Sequence, residues 1–188
     1  SAIARRASFL LDKEKAQIFA PGVDIAEDPL RRRGLSSHPF DGEGLAVSAR
    51  KLVDGGRLTG WLMDAAAARQ LGRQPTGHAT RGHGVSPANM YLAAGSMSVA
   101  ELIADIADGV YVTELIGHGV NAVTGDYSRG ASGFRIVGGK IAGPVAEFTV
   151  AGNLIAMFAQ LTPASDLEWH RSINVPTIRI DGMTVAGD

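Results

Sequence analysis

Apolar and polar positions recur along this chain in short blocks, each closed by glycine, proline or a capping residue. Leu45, Val47 and Ala49 alternate with polar neighbours, Asp54-Gly55-Gly56 supplies a turn, and R-L-T-G-W-L-M resumes the extended pattern. That combination predicts a β-hairpin. A second hairpin is predicted where Phe134, Ile136 and Ile141 flank V-G-G-K, with residues 145–150 lengthening the returning arm. Residues 23–28, 89–94, 110–116 and 175–185 read as further strands, and residues 2–12 have mixed spacing that fits helix or strand.

Helices are few and short. Asp64 caps A-A-A-A-R-Q-L, which Gly72 closes. Ser98 caps a second helix with Val99, Leu102, Ile103 and Ile106 on one face; Glu101 completes a capping box, and Gly109 ends the segment. Residues 153–161, N-L-I-A-M-F-A-Q-L, read as a third helix before Pro163. The expected fold class is α+β: a mainly antiparallel, hairpin-rich sheet with two or three short helices, a pattern that a sheet curled into a barrel also satisfies. No internal repeat interrupts it, and 188 residues suit a single domain spanning 1–188.

Composition narrows the chemistry. Hydrophobic residues are 45%, charged residues 20% and aromatics only 6%, so the core must be aliphatic and Ala-rich. The 24 glycines lack a period of three and fit tight strand connections. A net charge of −1 offers no global field toward nucleic acid or acidic membranes. With no cysteine there is no disulfide, thiol nucleophile or thiolate zinc site, which suits a reducing cytosol. No apolar run approaches the ~18 residues of a membrane span. The chain starts on an amphipathic stretch without a signal peptide, and is expected to be cut from something longer.

Residues 117–133, G-H-G-V-N-A-V-T-G-D-Y-S-R-G-A-S-G, imitate two nucleotide loops. Gly117, Gly119 and Ala122 have the dinucleotide spacing, yet V-T-G-D-Y-S-R-G cannot start the required helix, and neither Asp126 nor Glu147 lies at the ribose-binding distance. Residues 125–132 miss a phosphate P-loop because Ala131 stands where the lysine must be. Ser128 and Ser132 each miss one of the two glycines of a hydrolase elbow, with Asp126 two before the first and Phe134 two after the second. A tight connection between antiparallel strands explains the glycines better.

Other constellations are weaker. Among His38, His78, His83, His118 and His170, only His78 and His83 are close enough to suggest a metal pair, and they sit in a loop rather than one helix face. Arg31-Arg32-Arg33 could meet nucleic acid, but Glu27 and Asp28 precede it and a solvated loop is the simpler reading. Asp41 and Glu43 could act as paired carboxylates; such residues more often shape a turn.

Three stretches together carry a resemblance: S-H-P-F-D-G-E-G-L, G-R-L-T-G-W-L-M-D-A-A-A-A-R-Q-L-G-R-Q-P-T-G-H, and V-T-E-L-I-G-H-G-V-N-A-V-T-G-D-Y-S-R-G-A-S-G-F, continued by G-G-K-I-A-G-P-V-A-E-F-T-V-A-G-N-L. The chain resembles the C-terminal domain of the TldD/PmbA family, in its PmbA (TldE) branch, over nearly its whole length. The resemblance implies a cytoplasmic bacterial protease of two related subunits acting on unfolded and leader peptides, with zinc in the TldD-like subunit. In that subunit two His and the catalytic Glu lie on an H-E-x-x-x-H helix, with a Cys near the C-terminus. Here the helix would fall upstream of Ser1, and the Cys position falls near residues 172–176, S-I-N-V-P, where no cysteine stands. The expectation is a non-catalytic subunit without its own cofactor, partnered by a TldD-like subunit and a peptide, with a homodimer as another arrangement. Neither nucleic acid nor membrane is expected as a partner. Asp126, Tyr127, Ser128 and Arg129 are the candidate peptide or partner contacts. The alternative the resemblance leaves open is a regulatory binding protein, a modulator of DNA gyrase or of a toxin–antitoxin system, acting without proteolysis.

Overall fold

A computed structural model describes residues 2–82 and 84–187. In chain order the elements are β1 (Ile25–Glu27), β2 (Arg50–Asp54), β3 (Arg57–Leu58), α1 (Ala65–Gln70), β4 (Met90–Leu92) and α2 (Val99–Ile103). Then follow β5 (Asp108–Ile116), β6 (Asp126–Val137), β7 (Lys140–Asn153), α3 (Leu154–Ala159), β8 (Leu161–Pro163), β9 (Ile173–Asn174), β10 (Ile178–Ile180) and β11 (Thr184–Ala186). The α+β expectation holds, with three short helices and mostly antiparallel sheets. Among the described residues the strands form three open sheets, β3-β2-β1-β4-β9, β10-β8 and β11-β7-β6-β5, and none closes into a barrel.

Both hairpins form about glycine pairs that take positive φ, as a two-residue turn requires: Gly55 (55°) and Gly56 (87°), then Gly138 (55°) and Gly139 (76°). The first hairpin lies further along than its alternation predicts. Its outward arm is β2, whereas residues 45–49 belong to a loop held by Asp41, whose Oδ1 accepts from the Leu45 amide at 2.9 Å. The predicted strand 175–185 is two strands in different sheets, parted at Gly182, where φ is +76°. Residues 2–12 are neither helix nor strand but a series of turns.

The two predicted caps form, and Asn153, read from the sequence as the first residue of the third helix, is its cap instead. Asp64 accepts from Ala67 N at 2.7 Å, Ser98 and Glu101 make the reciprocal capping box, and Asn153 accepts from Ile155 N at 3.1 Å. The second helix stops at Ile103, one turn early, because the chain must already be extended at Asp108 to pair with Val137.

With so few aromatics the apolar core divides. The largest cluster joins Ile18, Phe19, Val53, Leu58, Leu92 and Leu161, with Phe19 and Phe158 stacked at 4.3 Å between ring centroids. A second cluster packs Ala67 and Ala68 of α1 against Ala4 and Met63. A third, Ala131, Phe148 and Val150, belongs to the ribbon of β5, β6 and β7.

Candidate functional site

The glycine-rich stretch resolves into a connection and a strand. Residues 117–125 link β5 to β6, and everything from Asp126 onward is β6. Gly117 takes φ +78°, and Gly119 lies so close to its neighbour that a Cβ there would meet the Ser128 carbonyl oxygen at 1.6 Å. The Ser128 amide donates to Gly119 O at 2.8 Å, and the side chain of Asn121 accepts from the amides of Val123 and Thr124. Positive φ at Gly117 and close backbone approach at Gly119 account for these glycines.

Strand alternation divides the four residues singled out there. Asp126 and Ser128 project to one side of β6, Tyr127 and Arg129 to the other. Asp126 accepts from the Thr124 hydroxyl at 2.7 Å and from Asn153 Nδ2 at 3.2 Å, tying the connection to the cap of α3. Those donors, Thr124 first, hold its carboxyl below the usual range. Ser128 is exposed. Arg129 donates from Nη2 to Leu115 O at 2.8 Å, and its buried Nε has no partner among the described residues.

Tyr127 faces a cleft of about 640 Å³, within the usual range of ligand clefts. Tyr111, Val112 and Leu115 of β5 line it, with Leu102, Ile103 and Ile106 from α2 and the residues after it. Ile178 and Ile180 of β10, with Val150 and Val185, also line it. Both β5 and β10 are terminal strands of their sheets, so each has an edge with no strand neighbour among the described residues. The hydroxyls of Tyr111 and Tyr127 have no hydrogen-bond partner among the described residues. Leu115, Ile178 and Val185 remain 39%, 41% and 48% exposed, an apolar surface that an occupant would cover. A smaller hollow of about 320 Å³ is lined by Pro21, Gly95 and Pro163.

The cleft was not visible in the sequence, because its walls come from residues 99–115 and 176–185 and no local motif spans them. The only signal was the pair Leu115-Ile116, two apolar residues in succession at the end of a strand.

A buried polar hub lies elsewhere, beneath the first sheet. Glu27, 1% exposed, bonds His78 Nε2 through Oε1 and accepts from the Ala88 amide at 3.0 Å through Oε2. His78 Nδ1 meets the Thr76 hydroxyl at 2.8 Å. Both ring nitrogens of His78 are therefore occupied by protein groups, and His83 lies outside the described residues. No three His, Cys, Asp or Glu residues gather in metal-binding geometry among the described residues. At residues 172–176 the buried Asn174 is used internally: Oδ1 accepts from the amides of His170 and Arg171, and Nδ2 donates to Arg171 O. The described donor set does not fit a zinc ion.

Asp41 is buried beside the hub and accepts from the amides of Glu43, Leu45 and Ala79 at 2.9–3.0 Å. Burial pushes its carboxyl up, but those donors and nearby His78 prevail, and it lies below the usual value. Glu43 instead accepts from the Ala65 amide at 2.9 Å, so Asp41 and Glu43 serve separate turns. Of the arginine run, Arg31 stacks over the Trp169 ring at 3.5 Å, next to Tyr91.

Residues 1–187 match the family model of the PmbA/TldA metallopeptidase C-terminal domain. The chain is 39% identical over 186 residues to the metalloprotease PmbA of Escherichia coli O157:H7, covering 98% of this chain and 40% of that protein. It is 27% identical over 204 residues to a metalloprotease TldD homolog of Haemophilus influenzae, covering 97% and 42%. Its fold superposes on a Thermotoga maritima protein provisionally described as a modulator of a DNA gyrase, with TM-score 0.89, 30% identity, and 98% and 44% of the two chains covered. The chain spans about two-fifths of the length of the curated relatives it matches.

Proposed function

Because this chain belongs to the PmbA/TldA metallopeptidase C-terminal domain family, we propose that it is the peptide-docking half of a two-subunit metallopeptidase. The zinc and its ligands reside in a TldD-like partner subunit, and this domain contributes to assembly and to holding unfolded or leader peptides. The setting is the cytoplasm; among the described residues no helix is long and apolar enough to cross a membrane.

The observation that carries this reading is the apolar cleft between two unpaired strand edges, β5 and β10. An extended peptide lying along β5 would satisfy that edge's free amides and carbonyls, a mode of binding that tolerates many side-chain sequences. The apolar walls would exclude water from those bonds and strengthen them. Zinc, held by the partner, would supply a polarised water for peptide hydrolysis. The residues here bind and orient the chain to be cut.

The test combines binding and cleavage. Leu115→Asp and Ile178→Asp alter exposed residues of β5 and β10 that line the cleft, so folding should survive while binding of an unfolded, fluorescently labelled peptide falls at least tenfold. Peptide cleavage should need both subunits and stop on chelation. Chelator-sensitive cleavage by this full-length subunit alone would refute the non-catalytic role.

A further inference from the structure

Four aspartates of this chain precede a glycine: Asp41, Asp54, Asp108 and Asp181. At Asp-Gly a main chain can cyclise on itself, because the glycine brings no Cβ to hinder its amide from swinging toward the aspartyl carboxyl. The reaction needs an accessible carboxyl and a glycine amide that is not already held. Asp41 meets neither condition: it is buried, and the Gly42 amide donates to Ala79 O at 2.7 Å. The other three are alike in their carboxyls. The side chains of Asp54, Asp108 and Asp181 are 61%, 69% and 54% exposed, and each bonds one cation, Lys51, Arg135 and Arg179 in turn. Their glycine amides differ. Gly55 donates to Asp24 Oδ1 at 2.7 Å within the first hairpin's turn. Gly109 lies in the β5–β6 ladder opposite Ile136 and is packed so closely that a Cβ would meet Ile106 at 2.9 Å. Gly182 belongs to no ladder. It sits in the passage between β10 and β11 with φ at +76° and open space where a Cβ would stand, and its amide has no partner among the described residues.

We propose that Asp181–Gly182 is a site of spontaneous isoaspartate formation, a covalent modification of the strand junction beside the cleft. The Gly182 nitrogen attacks Asp181 Cγ. A nitrogen–carbon bond forms, and one carboxyl oxygen leaves as water, carrying the carboxyl proton and the amide proton. Water then opens the resulting succinimide at either carbonyl. Opening at Cγ restores aspartate; opening at the former main-chain carbonyl routes the chain through Cβ and Cγ and leaves the α-carboxylate as a shortened side group. One water is released and one is consumed, so no oxidant, cofactor or change of mass is involved. The product adds one carbon to the main chain where it passes from one sheet to another. β11 is held to β7 by three residue pairs, Thr184 with Ala151, Val185 with Val150 and Ala186 with Thr149. So short a strand yields to the added atom, displacing Met183 and Val185, which line the cleft. Resting on the reading of the cleft as a peptide-docking site, the modified form docks peptide more weakly.

The experiment incubates the full-length protein for weeks at neutral pH, well below its unfolding temperature. Methylation by an isoaspartyl methyltransferase counts the modified sites, and electron-transfer fragmentation of proteolytic peptides locates them. Isoaspartate at Asp181 should exceed that at Asp54 or Asp108 by about fivefold or more, the factor that corresponds to freeing one held amide. Asp181→Glu keeps the carboxylate but would have to close a larger, less favourable ring; it should remove the signal at this position and leave the others. Circular dichroism would verify that the variant folds. Absence of isoaspartate, equal amounts at the three exposed sites, or more at Asp54 or Asp108 overturns the assignment. Aged protein should lose capacity for the labelled unfolded peptide in proportion to the fraction modified at Asp181, and aged Asp181→Glu should lose none. Equal loss in both overturns the effect on the cleft. If fresh protein binds no peptide, the docking reading falls and the site of isomerisation stands.

Discussion

The sheet β3-β2-β1-β4-β9 carries long irregular loops, residues 28–46, 74–82 and 84–88, and anchors them with buried side chains that accept from backbone amides. Glu27 takes Ala88, Asp41 takes three amides, and Asn89 takes Ser36 while donating to Asp28 O. The sheet β11-β7-β6-β5 has long strands and little buried polar chemistry. There the main-chain ladder, glycines at close approach and a small apolar cluster hold the structure, and one flank stays open as the cleft. Loops with few ladder bonds need side chains to satisfy their backbone. A ribbon that satisfies itself can leave an edge free for another chain.

Substitutions should separate these two modes. The largest effect is expected for Glu27→Ala, which leaves His78 and the Ala88 amide without their buried partner; loss of about 3–5 kcal/mol is expected by urea unfolding. A loss below about 1 kcal/mol would remove the hub from this comparison. Gly119→Ala probes the ribbon, where the added methyl would meet the Ser128 carbonyl, and should cost about 2–4 kcal/mol. Gly117→Ala, in open space but at positive φ, should cost only about 1 kcal/mol. If the two losses matched, close approach would not be what limits that connection.

Acid acts on the first sheet. The carboxyl of Asp41 lies below its unfolded value, so its stabilisation is complete above about pH 4 and is lost as pH falls through the lower, folded-state value. Asp41→Asn should cost about 1–2 kcal/mol at neutral pH and flatten that acid loss, as denaturant midpoints measured from pH 6 down to 2 would reveal. The smallest effect belongs to Ser98→Ala, an exposed cap, at about 1 kcal/mol. It should show as faster amide exchange confined to α2, whose Leu102 and Ile103 line the cleft.

How much of this was legible in sequence follows from the range of the interactions. Caps and glycine turns are local, and Asp64, Ser98, Gly55-Gly56 and Gly138-Gly139 stand where the pattern puts them. Leu45, Val47 and Ala49 misled because alternation in a loop anchored by Asp41 is indistinguishable from alternation in a strand. The segment 175–185 reads as one strand because only Gly182 marks the change of sheet. Glu27 and His78 are 51 positions apart, and the cleft walls are further apart still, so neither the hub nor the cleft leaves a motif. The family was legible because its motifs are contiguous. The roles of Asp126, Tyr127, Ser128 and Arg129 depend on which face of β6 each occupies, which the motif does not state.

The most direct measurement is hydrogen–deuterium exchange of the full-length protein with and without saturating unfolded peptide. Docking in the cleft predicts slower exchange across Asp108–Ile116 and Ile178–Ile180, with the amides of Leu45, Ala79 and Ala88 unchanged. Peptide binding that leaves β5 unprotected, or that protects only the first sheet, would contradict it.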